Sequence, residues 1–194
     1  MDFQTYTDRA RGFVQAAQTI AQREGHQQLG ADHLLKALLD DPKGMAAELL
    51  QRCGGRPAEA LAAIERTLAK RPKVSGGGAG HIYAAPELDR IFDRARKIAD
   101  TAGDKFVTVD DLLLALAIEP SEAARAIKDA GVDPSTLNAA INDLRKGRTA
   151  DSAAAEQGYD TLKRYARDLT ALAAEGKIDP VIGRDEEKIG RAHV

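Results

Sequence analysis

ADHLLKALL at residues 31–39 and VDDLLLALA at residues 109–117 are the same pattern written twice, with residue 31 falling on residue 109, an offset of 78 positions. The offset persists upstream. The helix-period stripe Ala10, Phe13, Val14, Ala17, Ile20, Ala21 is repeated member for member as Leu88, Ile91, Phe92, Ala95, Ile98, Ala99. Gly25 falls on Gly103 and Pro42 on Pro120. Downstream, LQRCGGRPAEALAAI (50–64) and IKDAGVDPSTLNAAI (127–141) correspond after a slip of one residue. A duplication of this length predicts an all-α domain made of two four-helix repeats, about residues 3–70 and 81–146, related by a pseudo-twofold.

Each copy carries the same punctuation. A long first helix is expected to end near Gly25 or Gly103, where a left-handed C-cap suits glycine. A short apolar helix follows and stops before Pro42 or Pro120. Pro57 and Pro134 open matching later helices. Thr108 and Asp111 have the spacing of a capping box, with Asp in place of the preferred Glu. RPKVSGGGAGHIYAAP (71–86) is a connector between the copies, and the composition of residues 148–158 predicts a flexible linker that closes the domain at 147. A third amphipathic stretch then places Leu162, Tyr165, Ala166, Leu169, Leu172 and Ala173 on one helical face.

Composition narrows the functional classes. Apolar residues make up 43% of the 194 but aromatics only 4%, so the core is built from Ala, Leu, Ile and Val. With a formal charge of −2 and alternating signs along helix faces, no basic footprint for nucleic acid is expected. No apolar run reaches the ~18 residues of a membrane span, and MDFQTYTDRARG has no signal-peptide pattern. Cys53 is alone, which fits a reducing cytoplasm, and it reads as a small helix-end residue.

Catalytic patterns are missing. The glycines at 76, 77, 78 and 80 lack the following Lys-Ser/Thr of a phosphate loop. His26 and His33 are separated by Gly25 and Gly30 from any shared helix, and no thiolate or carboxylate stands at ligand spacing, so no metal site is expected. Asp110 and Asp111 fall in the first turn of a helix, where negative charge complements the dipole.

The duplicated unit resembles the Clp N-terminal (Clp-R) repeat domain of the Clp-type AAA+ chaperones, and most closely the ClpB-type disaggregases. The resemblance is carried by MDFQTYTDRARGFVQAAQ, HLLKALLDD, RPKVSGGGAG, FVTVDDLLLALA, LRKGRTADSA and LKRYARDLTALAAEGKIDPVIGRDEE, which together reach from residue 1 to 187. It implies a domain that engages exposed apolar segments of unfolded or aggregated proteins and hands them to a homohexameric ATPase ring. That ring works in the cytoplasm with the DnaK chaperone system. The family's client groove lies near the N-terminus and the helix pair of the second repeat. Its polar positions map onto Thr7, Asp104 and Asp110, and its apolar ones onto Phe92 and Ile98, with Arg94 where the family often has Leu.

The residues alone also allow Phe92 and Ile98 to belong to the core, Thr7 to cap the first helix, and Asp104 to be a turn residue. Pro180, Val181 and Ile182 match one wall of the family's adenine pocket. The Walker loops that hold ATP and Mg lie further downstream in the family, so neither cofactor nor catalysis is expected of this polypeptide, a monomer by itself. The alternative is the adaptor-binding N-terminal domain of a protease-coupled Clp ATPase of the ClpA or ClpC type. A freestanding helical scaffold ranks third. From Lys188 the family pattern stops, and IGRAHV matches what a sequencing adapter, read as ATC-GGA-AGA-GCA-CAC-GTC-TGA, would encode before a stop. Residues 188–194 are therefore expected to be a non-native tail.

Overall fold

The computed structural model describes residues 3–74 and 82–156. Among them, eight helices follow the two-copy plan: α1 (Asp8–Arg23), α2 (Ala31–Leu39), α3 (Met45–Arg52) and α4 (Pro57–Ala69), then α5 (Pro86–Ala102), α6 (Val109–Ile118), α7 (Glu122–Asp129) and α8 (Pro134–Arg145). Two short strands, β1 (Gln28–Leu29) and β2 (Tyr83–Ala84), complete the elements. The third amphipathic stretch, the adenine-wall residues Pro180, Val181 and Ile182, and the tail lie outside the described residues.

The local rules operate as the sequence predicts. Thr7 caps α1 by accepting from the Ala10 amide at 3.2 Å. Pro57, Pro86 and Pro134 each occupy the first helical position of their helix, where a missing N–H costs nothing. Gly25 (φ 71°) and Gly103 (φ 79°) stand in the left-handed region just past α1 and α5. Cys53 is the residue that ends α3.

The two repeats interlock. β1 and β2 pair in parallel, Leu29 opposite Ala84, and an isolated parallel bridge joins Tyr6 to Val107. An offset of 78 carries Tyr6 onto Ala84 and Leu29 onto Val107, so the bridge is the duplicate of the strand pair. The segment entering each repeat's first helix therefore hydrogen-bonds to the loop after the other repeat's first helix. The bonds are Thr7 N–H to Val107 C=O (2.9 Å) and Ala85 N–H to Leu29 C=O (2.8 Å). α4 also packs on α7 and α3 on α8, across the repeat boundary.

α2 and α6 form the centre and are buried nearly all round, which explains their mostly apolar sequences. Close approach at the boundary depends on Gly55, where a Cβ would stand 2.2 Å from Val132 Cγ2.

The chain does not leave the domain at residue 147. Lys146 (φ 48°) and Gly147 (φ 77°) are both left-handed and reverse its direction after α8. Residues 148–156 then pack on the domain, with Ala150 and Glu156 each only 1% exposed. Small side chains permit this approach, and the Ala153 carbonyl and the Glu156 carboxylate satisfy N–H groups left open at the starts of α1 and α6.

Candidate functional site

α5, α6 and α8 enclose an open groove of about 800 Å³. Ile98 from α5, Leu114 and Ile118 from α6 and Ile141 from α8 supply its apolar surface, and Lys97, Asn138 and Asn142 its polar rim. Ile118 is 38% exposed, unusual for an isoleucine in a domain with so few exposed large apolar side chains. Arg94 also lines the groove and is held at its edge by Glu119, Nε to Oε1 at 2.7 Å.

Below one end of the groove lies a buried ionic network, reached through Asp111 and Arg145, which line the groove as well. The Arg145 guanidinium, from the last turn of α8, donates to Asp104, to Asp110, to Asp111 Oδ1 (2.9 Å) and to Thr108 Oγ1 (2.7 Å). Thr108 and Asp111 close the expected capping box, Thr108 N–H to Asp111 Oδ2 at 2.9 Å.

Three carboxylates around one guanidinium leave an excess of negative charge in a buried site. Burial, then the neighbouring Asp110, push the Asp111 carboxyl up to about 7 against the pull of Arg145. Burial works against the Arg145 charge, but Asp110 and Asp111 outweigh it and raise its pKa further above its ordinary value.

Thr7 and Asp104 extend this network to the last described residues. Thr7 Oγ1 donates to Glu156, whose Oε1 also accepts from the Val109 amide at 2.8 Å. Asp104 Oδ1 accepts from the Ala150 amide at 2.7 Å. Burial lifts the Glu156 carboxyl to about 7, partly offset by the hydrogen bonds from Thr7 and Val109.

The structure thus sorts the candidates named from sequence. Thr7, Asp104 and Asp110 come together, but inside, each with protein partners and no more than 7% exposed. Phe92 is 2% exposed and makes edge-to-face contacts with Phe3 (5.5 Å) and Tyr6 (6.2 Å). It borders a separate cavity between α1 and α5, with Val14 and Leu29. Ile98 lines the groove.

Sequence reasoning missed Arg145 and Glu156. Arg145 carried a readable signal, because it continues the buried α8 stripe of Leu137 and Ile141 at the next i+4 position. Glu156 carried none.

Repeat one holds the counterpart of this network. At the offset of 78, His26, Gly30, Asp32 and His33 fall on Asp104, Thr108, Asp110 and Asp111. Gly30 N–H donates to His33 Nδ1 (3.1 Å), and His33 Nε2 and His26 Nδ1 are hydrogen-bonded at 2.9 Å. Arg71, just past α4, binds Asp32 through Nε (2.5 Å) and Nη2 (3.0 Å). Burial works to raise the Asp32 pKa, but His33 and Arg71 together hold it below its ordinary value. Burial, with His33 and Arg71 beside it, lowers that of His26. Among the described residues, no three potential ligands are grouped to hold a metal.

The model of the Clp repeat (R) N-terminal domain matches residues 5–130. The chain belongs to the Clp N-terminal domain family. Among curated relatives, the chaperone protein ClpB of Rhodopseudomonas palustris is 58% identical over 188 residues, 96% of this chain and 21% of the relative. The ClpB of Rhizobium meliloti is also 58% identical, with 96% and 22% covered. This Clp N-terminal chain thus spans about a fifth of the length of the curated relatives it matches. Among solved structures, the Hsp104 N-terminal domain from Candida albicans superposes with a TM-score of 0.68 at 24% identity, over 78% of this chain and 99% of that one. That likeness shows the fold, the duplicated all-α Clp N-terminal domain expected from the sequence.

Proposed function

We propose that this chain is the client-engaging N-terminal region of an ATP-dependent disaggregase, and that the groove of repeat two receives the apolar side chains of unfolded or aggregated proteins. The supporting observation is the partly exposed Ile118 standing with Ile98, Leu114 and Ile141 in an open groove. In this reading Thr7, Asp104, Asp110 and Phe92 shape the groove from beneath and beside it, and Ile98 touches the client.

One or two buried client side chains gain about 1.5–3 kcal/mol each before ordering costs, so binding is weak and indifferent to sequence. Weak binding suits a module that loads clients onto a motor. The motor is a homohexameric AAA+ ring that cooperates with the DnaK system in the cytoplasm and uses ATP and Mg. Pro180, Val181 and Ile182 form one wall of its adenine pocket. Phosphate-binding and catalytic groups belong to the ring, and this polypeptide alone turns over no ATP.

The test is a titration of the chain with a protein held unfolded by blocked cysteines. Binding that apolar peptides compete away, and that Ile118→Asp weakens about tenfold, supports the reading. Absence of competable binding overturns it.

A further inference from the structure

The groove has one wall unlike the others. α5, α6 and α8 are helices locked into the core, whereas the fourth side begins at Gly147 and Thr149, where the chain turns back after α8. From there to Glu156 the segment has no helix or strand. Asp151, Ser152 and Ala154 are exposed, and only Ala150 and Glu156 are buried. So little apolar area is covered that the hydrophobic effect contributes little to holding the segment down.

Hydrogen bonds hold it instead, and they form a pattern. The Ala150 carbonyl accepts from Lys105 N–H (3.1 Å) and Phe106 N–H (3.2 Å), and its amide donates to Asp104. The Ala153 carbonyl accepts from Asp8 N–H at 2.9 Å, the opening residue of α1. The Glu156 carboxylate then bridges Thr7 Oγ1 and Val109 N–H, at the starts of α1 and α6. Residues 152–156 close a turn, with Ala155 N–H on Ser152 C=O at 3.1 Å, and the pairing of main-chain groups ended by one side-chain anchor is also how a domain grips a bound peptide. Here the peptide is the chain's own.

We propose that residues 149–156 are a displaceable strap, latched by Glu156, which occupies the place of an extended client segment and must lift for that segment to bind along the groove and on towards the start of α1. This rests on the client-binding reading above. When the strap lifts, the amides of Asp8, Lys105, Phe106 and Val109 and the Thr7 hydroxyl lose their partners together. The donors of Lys105 and Phe106 face Ala150, next to the groove-lining Thr149. An unfolded segment can then place its side chains in the groove and its carbonyls on these donors. Strap and client compete for the same donors, so strengthening the latch weakens client binding, and removing it does the reverse.

Two substitutions in the 194-residue chain separate these effects. Glu156→Ala removes the anchor. Glu156→Gln keeps an acceptor for Val109 N–H and offers an amide to Thr7 without burying a charge, so it tightens the latch. Amide hydrogen exchange at Asp8, Lys105, Phe106 and Val109 reads the strap, and titration with the cysteine-blocked unfolded protein reads the client.

At neutral pH, Glu156→Ala is expected to speed exchange at these amides at least about tenfold and to tighten client binding about threefold. Glu156→Gln is expected to slow exchange and weaken binding. Equal exchange in all three proteins overturns the latch. Exchange that separates them while client binding stays constant, or moves the same way in both variants, overturns the competition. Should Glu156→Ala fail to fold, Glu156→Gln against the parent chain decides by the same two readouts. If no variant binds the client yet exchange separates them, the client reading falls and the latch stands.

Discussion

The two repeats build a similar device from non-equivalent arginines, since the offset of 77 carries Arg71 onto Arg148, and give it opposite electrostatics. In each, an arginine from the end of the fourth helix, Arg71 or Arg145, reaches back to the start of the second helix, α2 or α6. In repeat one it meets a single carboxylate, Asp32, beside a pair of histidines. In repeat two the histidine positions have become Asp104 and Asp111, and the arginine faces three carboxylates. The groove diverged in the same way. Lys36 of repeat one bridges Asp40 and Glu65, at 2.8 Å each, tying α2 to α4. The matching positions in repeat two are Leu114, Ile118 and Asn142, which form no such bridge and line the groove. Charged side chains thus span α2 and α4 in repeat one, where apolar ones face an open groove in repeat two.

The largest effect expected from this comparison is at Arg145. Arg145→Ala leaves Asp104, Asp110 and Asp111 buried without a counter-charge and is expected to cost about 3–5 kcal/mol in urea unfolding at neutral pH. Acidification recovers part of the loss, since protonation removes the uncompensated charge. Arg71→Ala is expected to cost less, about 1–3 kcal/mol, because its side chain is 22% exposed and it leaves one carboxylate behind. An equal or larger loss at Arg71 breaks the comparison.

Next comes a transplant. Leu114→Lys, Ile118→Asp and Asn142→Glu together write repeat one's ion pairs into repeat two. They are expected to lower affinity for the unfolded protein about tenfold and, because Leu114 is only 4% exposed, to cost about 2 kcal/mol in urea unfolding. Unchanged affinity would mean that clients do not use this groove.

The smallest effect is a pH profile in which the repeats pull in opposite directions. Asp111 has a raised folded pKa of about 7, so its contribution is fully present below its ordinary carboxylate range and is lost as pH rises through 7. Glu156, facing Asp110 and Arg9, has the same sign. His26, facing His33, Arg71, Lys73 and Asp32, has a lowered pKa. Its contribution is present above its unfolded value near 6.5 and is lost as pH falls below it. Asp111→Asn is expected to flatten the alkaline limb by about 1 kcal/mol between about pH 6 and 8, and His26→Gln to flatten the acid limb, both read as urea midpoints.

What could be read without coordinates was what repeats locally. The offset of 78, the 3.6-residue stripes, the caps at Thr7 and Thr108 and the left-handed glycines 25 and 103 all depend on neighbours within a turn or two. Asp110 and Asp111 were legible as first-turn acids, but their burial was not, because dipole complementarity is satisfied equally well in water. His26 and His33 looked separated by helix ends, yet those ends fold their rings to 2.9 Å. The composition of residues 148–156 predicts a linker, since small and polar residues cover little apolar surface, and nothing local announces that their backbone groups have partners waiting.

Residue order therefore determined an all-α double repeat, where its helices begin and end, and membership of the Clp N-terminal family. Tertiary structure alone decided which polar groups are inside and which apolar ones face out. The deciding contacts join residues far apart in sequence, from 34 positions for Arg145 and Asp111 to 149 for Thr7 and Glu156. A helix period is set by neighbours three and four residues away, whereas a buried charge is set by whatever the fold brings beside it.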